Sequence, residues 1–324
     1  MAFEQYILFA VGIFLLIKGA DYLVKGSSTL ARKLRVPTIV IGLTVVAFGT
    51  SMPELIVNII AALEGSTEVA FGNVIGSNIA NILLVLGVAA TVYPIKVESS
   101  TVWKQIPFSI LAVVVLFVAS NYLLIDNINI TSLTKVTGII FLCFFAIFLY
   151  YTFDLAKKSK KKIENKELSI RLDRGLLTTS AMIIGGVVGL FIGGRWVVDG
   201  AVFAAQQLGL SEFLISATII AMGTSLPELV TGIAAAKKHE PSMAIGNVIG
   251  SNIFNIFWIL GITALIAPII VPQFINIDII LLGAISILLL VLLYTGKKYE
   301  LEKWQGWIFI ALYIAYIVFL GIRG

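Results

Sequence analysis

Two segments of the 324-residue chain place acidic side chains where acids are costly. Glu54 lies in the segment AFGTSMPEL at 47–55, and Glu228 in AMGTSLPEL at 221–229. Each lies near the middle of an apolar run, 37–63 and 212–236, long enough to cross a membrane. A carboxylate at that depth cannot snorkel to water, so it needs a partner or a wet cavity. Neither run offers a Lys or Arg nearby, and the missing counter-charge is most simply a mobile cation. Pro53 and Pro227 strengthen that reading. Proline lacks an N–H and clashes with the carbonyl four residues back, which frees the oxygens of Gly49 and Gly223. Freed carbonyls at membrane depth are tolerated only where a cavity or an ion receives them. Helical spacing puts Ala47, Thr50, Ser51 and Glu54 on one face, and Ala221, Thr224, Ser225 and Glu228 repeat it.

A second duplicated segment adds neutral oxygens. GNVIGSNIANI at 72–82 recurs as GNVIGSNIFNI at 246–256. Asn73, Ser77 and Asn81 form a polar stripe at i, i+4, i+8, and Asn247, Ser251 and Asn255 form its image. Beside it, Gly72, Gly76 and Ala80 make a small-residue strip, and Gly72/Gly76 with Gly246/Gly250 read as packing devices that admit a neighbouring helix. Every candidate ligand is a hard oxygen, which suits Ca²⁺ or Na⁺ and argues against zinc or copper. Two ionised Glu carry a charge that one Ca²⁺, two Na⁺ or two H⁺ would neutralise. Mg²⁺ fits less well, because it keeps several waters and demands octahedral geometry.

The elements that must position these groups are membrane spans. Apolar residues make up 59% of the chain, charged residues only 13%, and the mean hydropathy is +1.03. A soluble enzyme, a nucleic-acid binder and a disordered scaffold are all poor fits to such a composition. Apolar runs divide into ten spans at 3–31, 37–63, 69–93, 104–125, 133–156, 174–206, 212–236, 242–267, 274–296 and 304–322. The first run has no small-residue cleavage signal and reads as a retained span. With one cysteine, Cys143, and one histidine, His239, the chain can build neither an internal disulfide nor a cysteine or histidine metal cluster.

Basic residues orient the spans. With the polar stretch Lys157–Arg174 placed in the cytoplasm, its eight Lys and Arg join Arg32, Lys33, Arg35, Lys96, Lys104, Lys237, Lys238, Lys297, Lys298 and Lys303 on the inside. Only Lys135 and Arg323 fall outside, and both termini are then external. Lys18, Lys25 and Arg195 lie within spans, where Asp21–Lys25 and Arg195–Asp199 read as local i, i+4 ion pairs. The Lys157–Lys162 run reads as a topology determinant.

Both motif pairs recur at a shift of 174 residues, which also matches Gly19 to Gly193, Gly26 to Gly200, Gly87 to Gly261 and Pro94 to Pro268. Five spans per half is an odd number, so the halves enter the bilayer from opposite sides. Inverted repeats with interrupted helices are the architecture of secondary transporters, whose sites lie near the midplane at the repeat interface. A membrane-embedded enzyme would need a nucleophile and base that the spans lack. A channel would leave the inverted, interrupted motifs without a purpose.

The paired G-T-S-[ML]-P-E and G-N-V-I-G-S-N-I-x-N motifs resemble the two alpha repeats of the cation/Ca²⁺ antiporter superfamily, especially prokaryotic sodium/calcium exchangers. The resemblance spans essentially the whole chain. It implies an all-α polytopic protein of two inverted five-helix repeats: 1–156 with an alpha-1 motif at 39–87, a cytoplasmic basic linker at 157–173, and 174–324 with an alpha-2 motif at 213–261. It also implies Ca²⁺ transport against Na⁺ by alternating access in the cell membrane, with spans 2, 3, 7 and 8 as the core and spans 1 and 6 as a sliding gate. By matching position, Ca²⁺ would be held by Glu54 and Glu228 with the carbonyls of Thr50 and Thr224. Ala47, Ser51, Ser77, Ala221, Ser225 and Ser251 would line Na⁺ sites, with Asn81 and Asn255 between them. No cofactor, nucleic-acid partner or oligomer is implied; the partners are the two ions and lipid. One departure stands out. Exchangers of this type carry Asp where this chain has Asn255, which leaves a Ca²⁺/H⁺ antiporter as the alternative.

Overall fold

The computed structural model describes residues 2–99, 101–121, 132–164, 175–207, 221–272 and 275–323. Almost all of them are helical, as the bilayer requires: a helix satisfies its own N–H and C=O groups where no water can. In chain order the helices are α1 (Ala2–Leu34), α2 (Thr38–Thr50), α3 (Met52–Leu63), α4 (Val69–Val92), α5 (Thr101–Ser120), α6 (Lys135–Glu164), α7 (Leu176–Gln207), α8 (Ala221–Gly223), α9 (Leu226–Lys237), α10 (Pro241–Ile266), α11 (Ile275–Leu292) and α12 (Lys303–Arg323).

Eight of these are long and apolar enough to cross a membrane, and the bent pair α2–α3 makes a ninth. The tenth expected span, 212–236, is described only from Ala221 onward, as α8 and α9. Helices α4 and α10 form the centre. In each, 78% of the span is buried within the protein, against 28–44% for the other unbroken spans. They contribute the fully buried rings of Phe71 and Phe257 to a core shared with Phe141, Phe148 and Phe309, and Phe144 stacks on Phe257 at 5.2 Å between centroids.

The longest helices, α1 and α7, lie antiparallel against each other. At 33 and 32 residues each is about 50 Å long, well beyond the ~30 Å hydrocarbon core, so both must tilt or overhang. Glycines bring their backbones together. A Cβ on Gly19 would stand 2.8 Å from the Gly186 carbonyl oxygen, and one on Gly193 would stand 2.7 Å from that of Gly12. No larger residue fits at either contact without moving a helix.

Two short antiparallel strand pairs tie loops together. Ile95–Lys96 (β1) pairs with Glu300–Leu301 (β4), and Ser132–Leu133 (β2) pairs with Ile269–Ile270 (β3). Each joins loops that alternating spans place on the same membrane face. Further contacts agree: Trp103 donates to Tyr299 (3.3 Å) on one face, while Asn121 and Asn276 exchange amide bonds (2.9 and 2.7 Å) on the other.

The central linker departs from expectation. Helix α6 continues through Lys157–Glu164, so the first part of the basic stretch extends a span instead of forming a loop. Lys and Glu are good helix formers, and a helix already nucleated in lipid propagates through them cheaply. Residues 165–173 of that linker lie outside the described residues.

The cation cavity at the repeat interface

The helices are interrupted where Gly49–Pro53 and Gly223–Pro227 were expected to break them, and the acidic residues sit just after the breaks instead of in mid-helix. Between α2 and α3 the chain bends by 45°, and Ser51 at the bend leaves helical geometry (φ −86°, ψ 8°). Ser225 repeats this before α9 (φ −84°, ψ 1°). Pro53 and Pro227 are the second residues of the helices that follow, with Glu54 and Glu228 in their first turns. The physical reason is proline's tolerance at a helix start, combined with the unpaired N–H groups and positive dipole end that favour an anion there. The shared face of Ala47, Thr50, Ser51 and Glu54 is accordingly interrupted: the first three belong to the end of one helix and the turn, the last to the next.

Both carboxylates are completely buried, as are Thr50, Ser51, Asn81, Ser251 and Asn255, with Ser77 and Ser225 nearly so. The motifs of the two halves interlock across the interface. Ser51 donates to Glu228 Oε1 (3.2 Å), and Ser251 donates to the same oxygen (3.4 Å). Thr50 donates to Asn247 Oδ1 (3.1 Å), and its image Thr224 donates to Asn73 Oδ1 (3.2 Å). Ser77 and Thr224 share a 3.4 Å hydrogen bond. Asn73 is held in turn by donating to Asn58 (2.8 Å).

What remains unbonded is as informative. Both oxygens of Glu54, Oε2 of Glu228, Oγ of Ser225 and Oδ1 of Asn81 and Asn255 are buried without a hydrogen-bond partner. Among the described residues, no Lys, Arg or His pairs with either carboxylate. Two buried, uncompensated carboxylates among neutral oxygens would be strongly unfavourable without a cation. The donor set is all hard oxygen, and among the described residues no group of three or more His, Cys, Asp and Glu competes for a metal. Six to eight flexible oxygen ligands suit Ca²⁺, and a subset suits Na⁺.

Of the expected site residues, Glu54, Glu228, Thr50, Ser51, Ser77, Asn81, Ser225, Ser251 and Asn255 are buried, whereas Thr224 is half-buried and lines a cleft. Ala47 packs close to Gly250, and its carbonyl accepts from Ser51 N–H (3.0 Å) and the Thr50 hydroxyl (3.4 Å). Ala221 opens α8, and its side chain lies outside the described residues. Gly246 and Gly250 pack tightly on α2 as expected, where an added Cβ would meet the carbonyls of Ile39 and Leu43 at 2.8 Å. The equivalent neighbours of Gly72 and Gly76, at 213–220, lie outside the described residues.

Sequence reasoning passed over Asn78 and Asn252, which lie within the duplicated motif. They are cross-linked: each donates its amide to the other's backbone carbonyl (3.3 Å in both directions). Their side-chain oxygens accept from Asn255 and Asn81, respectively, each at 3.0 Å. Their recurrence at the 174-residue shift was the available signal. A π-helical turn begins at Asn81 in α4 and at Phe254 in α10, a local widening that often marks functional sites.

A cleft of about 260 Å³ runs beside α7 to the α8–α9 break, lined by Pro53, Arg195, Asp199, Thr224 and Pro227 among others. At the equivalent place on the opposite side Ala20, Val24 and Thr50, the images of Gly194, Val198 and Thr224, are fully buried. The two local ion pairs form at 2.9 Å (Asp21–Lys25) and 3.8 Å (Arg195–Asp199). Asp21 also pairs with Lys238 after α9, so it bridges helices as well as bonding locally.

Broken helices from related halves, meeting at a cluster of buried oxygen ligands beside a cleft that Thr224 lines, define a secondary transporter of hard cations. The chain belongs to the sodium/calcium exchanger protein family, which it matches over residues 4–153 and 178–321. It is 33% identical to the sodium/calcium exchanger MaX1 of Methanosarcina acetivorans over 98% of each chain. It is 36% identical to the putative antiporter CaxA of Alkalimonas amylolytica, over 94% of this chain and 95% of that one. Among solved structures it resembles the sodium-calcium exchanger NCX_Mj, with a TM-score of 0.82, 34% identity, and 99% of this chain and 100% of that one covered. It is therefore a multi-pass membrane transporter and not an enzyme.

Proposed function

We propose that this protein moves Ca²⁺ across the cell membrane in exchange for Na⁺ by alternating access. The observation that carries the reading is the pair of fully buried carboxylates, Glu54 and Glu228, supplied by opposite halves and without a basic partner among the described residues. Glu54 and Glu228 with the carbonyls of Thr50 and Thr224 bind Ca²⁺; Ala47, Ser51, Ser77, Ala221, Ser225 and Ser251 line the Na⁺ positions, with Asn81 and Asn255 between them. Competition for the same two negative charges couples the ions: the cavity neutralises itself with one Ca²⁺ or with two Na⁺, not with both. The family and the named relatives support Na⁺ as the counter-ion, and the proton-coupled alternative is not favoured.

The halves 1–156 and 174–324 are the inverted units, and 157–173 connects them. Basic loops put that connection in the cytoplasm and both termini outside, which directs the Arg195 cleft to the exterior. The test is uptake of ⁴⁵Ca²⁺ into proteoliposomes driven by an outward Na⁺ gradient. Glu54→Gln and Glu228→Gln should each abolish it. Uptake that survives both substitutions would remove the site assignment, and uptake driven by a pH gradient but not by Na⁺ would overturn the coupling.

A further inference from the structure

We propose that Asn78 and Asn252 are positioning residues for the ion cavity, a role that rests on the exchange reading above. Four amides, Asn78, Asn81, Asn252 and Asn255, form a closed set across the contact of α4 and α10, all essentially inaccessible. Each of Asn78 and Asn252 uses its N–H₂ on a backbone carbonyl of the other helix, so its own oxygen must face a neighbour. That oxygen takes the N–H₂ of Asn255 or Asn81. Turning any one amide over would set oxygen against oxygen. The consequence is that Asn81 and Asn255 are left with Oδ1 unbonded, one helical turn beyond Ser77 and Ser251. The cavity is thereby offered two carbonyl oxygens and is denied two N–H₂ groups that would repel a cation.

Ion exchange in proteoliposomes tests this through half-saturating concentrations. Asn78→Leu should raise those for Ca²⁺ and Na⁺ by roughly ten-fold, the lower range for loss of an outer-shell partner, with the maximal rate changed far less. In an Asn255→Asp background the same substitution should add nothing, because a carboxylate presents oxygen whichever way it turns. Additive effects in that double-substitution cycle, or a loss of maximal rate alone, would overturn the inference. The mirror pair, Asn252→Leu with Asn81→Asp, runs the same comparison if Asn78→Leu does not assemble. Failure of both to fold would make these amides fold residues and also overturn it. Absence of Na⁺-driven Ca²⁺ uptake in the unaltered protein would instead reject the exchange reading.

A different observation carries a second inference. Lys238 joins Asp21 of α1 to the turn after α9, and Ser28 donates to Glu240 at the same place (2.9 Å). The 174-residue shift maps Asp21 to Arg195, Lys25 to Asp199 and Lys238 to Glu64, and every charge changes sign. On the Arg195 side the cleft is open, Glu64 is exposed, and the Arg195 side chain is 74% exposed. We infer that Asp21–Lys238 and Arg195–Glu64 are alternating latches: the first closes one face in this structure, and the second closes the other when the cleft changes sides.

Thiol labelling of reconstituted protein with Cys143→Ser tests the latches. Val198→Cys reports the open cleft and Val24→Cys its closed image, each probed with a membrane-impermeant reagent from its own side. Lys238→Glu should raise Val24→Cys labelling and lower Val198→Cys labelling by about two- to five-fold, the shift a partly exposed ion pair can support. Adding Asp21→Lys should reverse it. Glu64→Lys should raise Val198→Cys labelling and leave Val24→Cys protected. If Lys238→Glu or Glu64→Lys leaves labelling unchanged, the latches do not exist.

Discussion

Glu54 and Glu228 hold equivalent places in the two halves, yet the protein treats them differently. Glu228 accepts hydroxyl protons from Ser51 and Ser251. Glu54 accepts none, and Ser225, the image of Ser51, is unbonded. Beyond the cavity, the cleft at Arg195 is open whereas its counterpart around Asp21 is packed by Ala20 and Val24 and bridged by Lys238. Near-identical motifs therefore adopt two conformations within one molecule. A duplicated fold can exchange the roles of its halves, which is the geometry that inverted-repeat transporters use.

The comparison is broken most severely at the carboxylates. Glu54→Gln and Glu228→Gln should reduce Na⁺-driven Ca²⁺ uptake by about a hundred-fold or more, beyond the range for an outer-shell ligand partner. The two should fail together despite their unequal hydrogen bonding. If only one failed, the halves would not contribute equally to the cation.

Next come the glycine contacts shared by the long helices. Gly19→Val and Gly193→Val both force a Cβ into a facing carbonyl, and overpacking of this kind costs about 1–3 kcal/mol. Unfolding followed in detergent should show similar losses for both. A loss at one position only would show that the α1–α7 contact is less symmetric than its glycines.

Smaller effects sharpen the contrast inside the cavity. Ser51→Ala removes a bond to Glu228, and Ser225→Ala removes no bond in this state. With a hydrogen bond worth about 1 kcal/mol net, Ser51→Ala should weaken Ca²⁺ binding several-fold, measured by isothermal titration, and Ser225→Ala should weaken it less. Equal effects would mean that the state populated in solution averages the two halves. The smallest effect serves as a control outside the repeat equivalence. Lys158 pairs with Asp154 at 2.6 Å in an exposed helical turn, and Lys158→Gln should change stability by less than about 0.5 kcal/mol.

Much of this was legible in the chain. The duplicated motifs, their 174-residue shift and the cost of a mid-span carboxylate all pointed to two opposed halves around a cation. Other features were hidden for identifiable reasons. Pro53 announced an interruption, but apolar periodicity does not register a one-residue turn, so its placement at Ser51 and its 45° bend were not readable from the run. Asn78 looked like one more polar residue in a motif, because its partners lie in the other half of the chain. The basic stretch read as a loop because charge marked the membrane boundary, but charge does not end a helix, and α6 continues to Glu164.

By itself, the sequence determined that the chain lives in lipid, that its two halves are related and inverted, and which oxygen-bearing residues are placed at membrane depth. Composition and spacing suffice there because insertion is decided by local transfer energies, span by span. Only the tertiary structure decided which oxygens are tied to one another and which are left for the cation, and which face is open. Those outcomes depend on contacts between residues about 150–200 positions apart, and motifs nearly identical in the two halves cannot say which half is in which conformation.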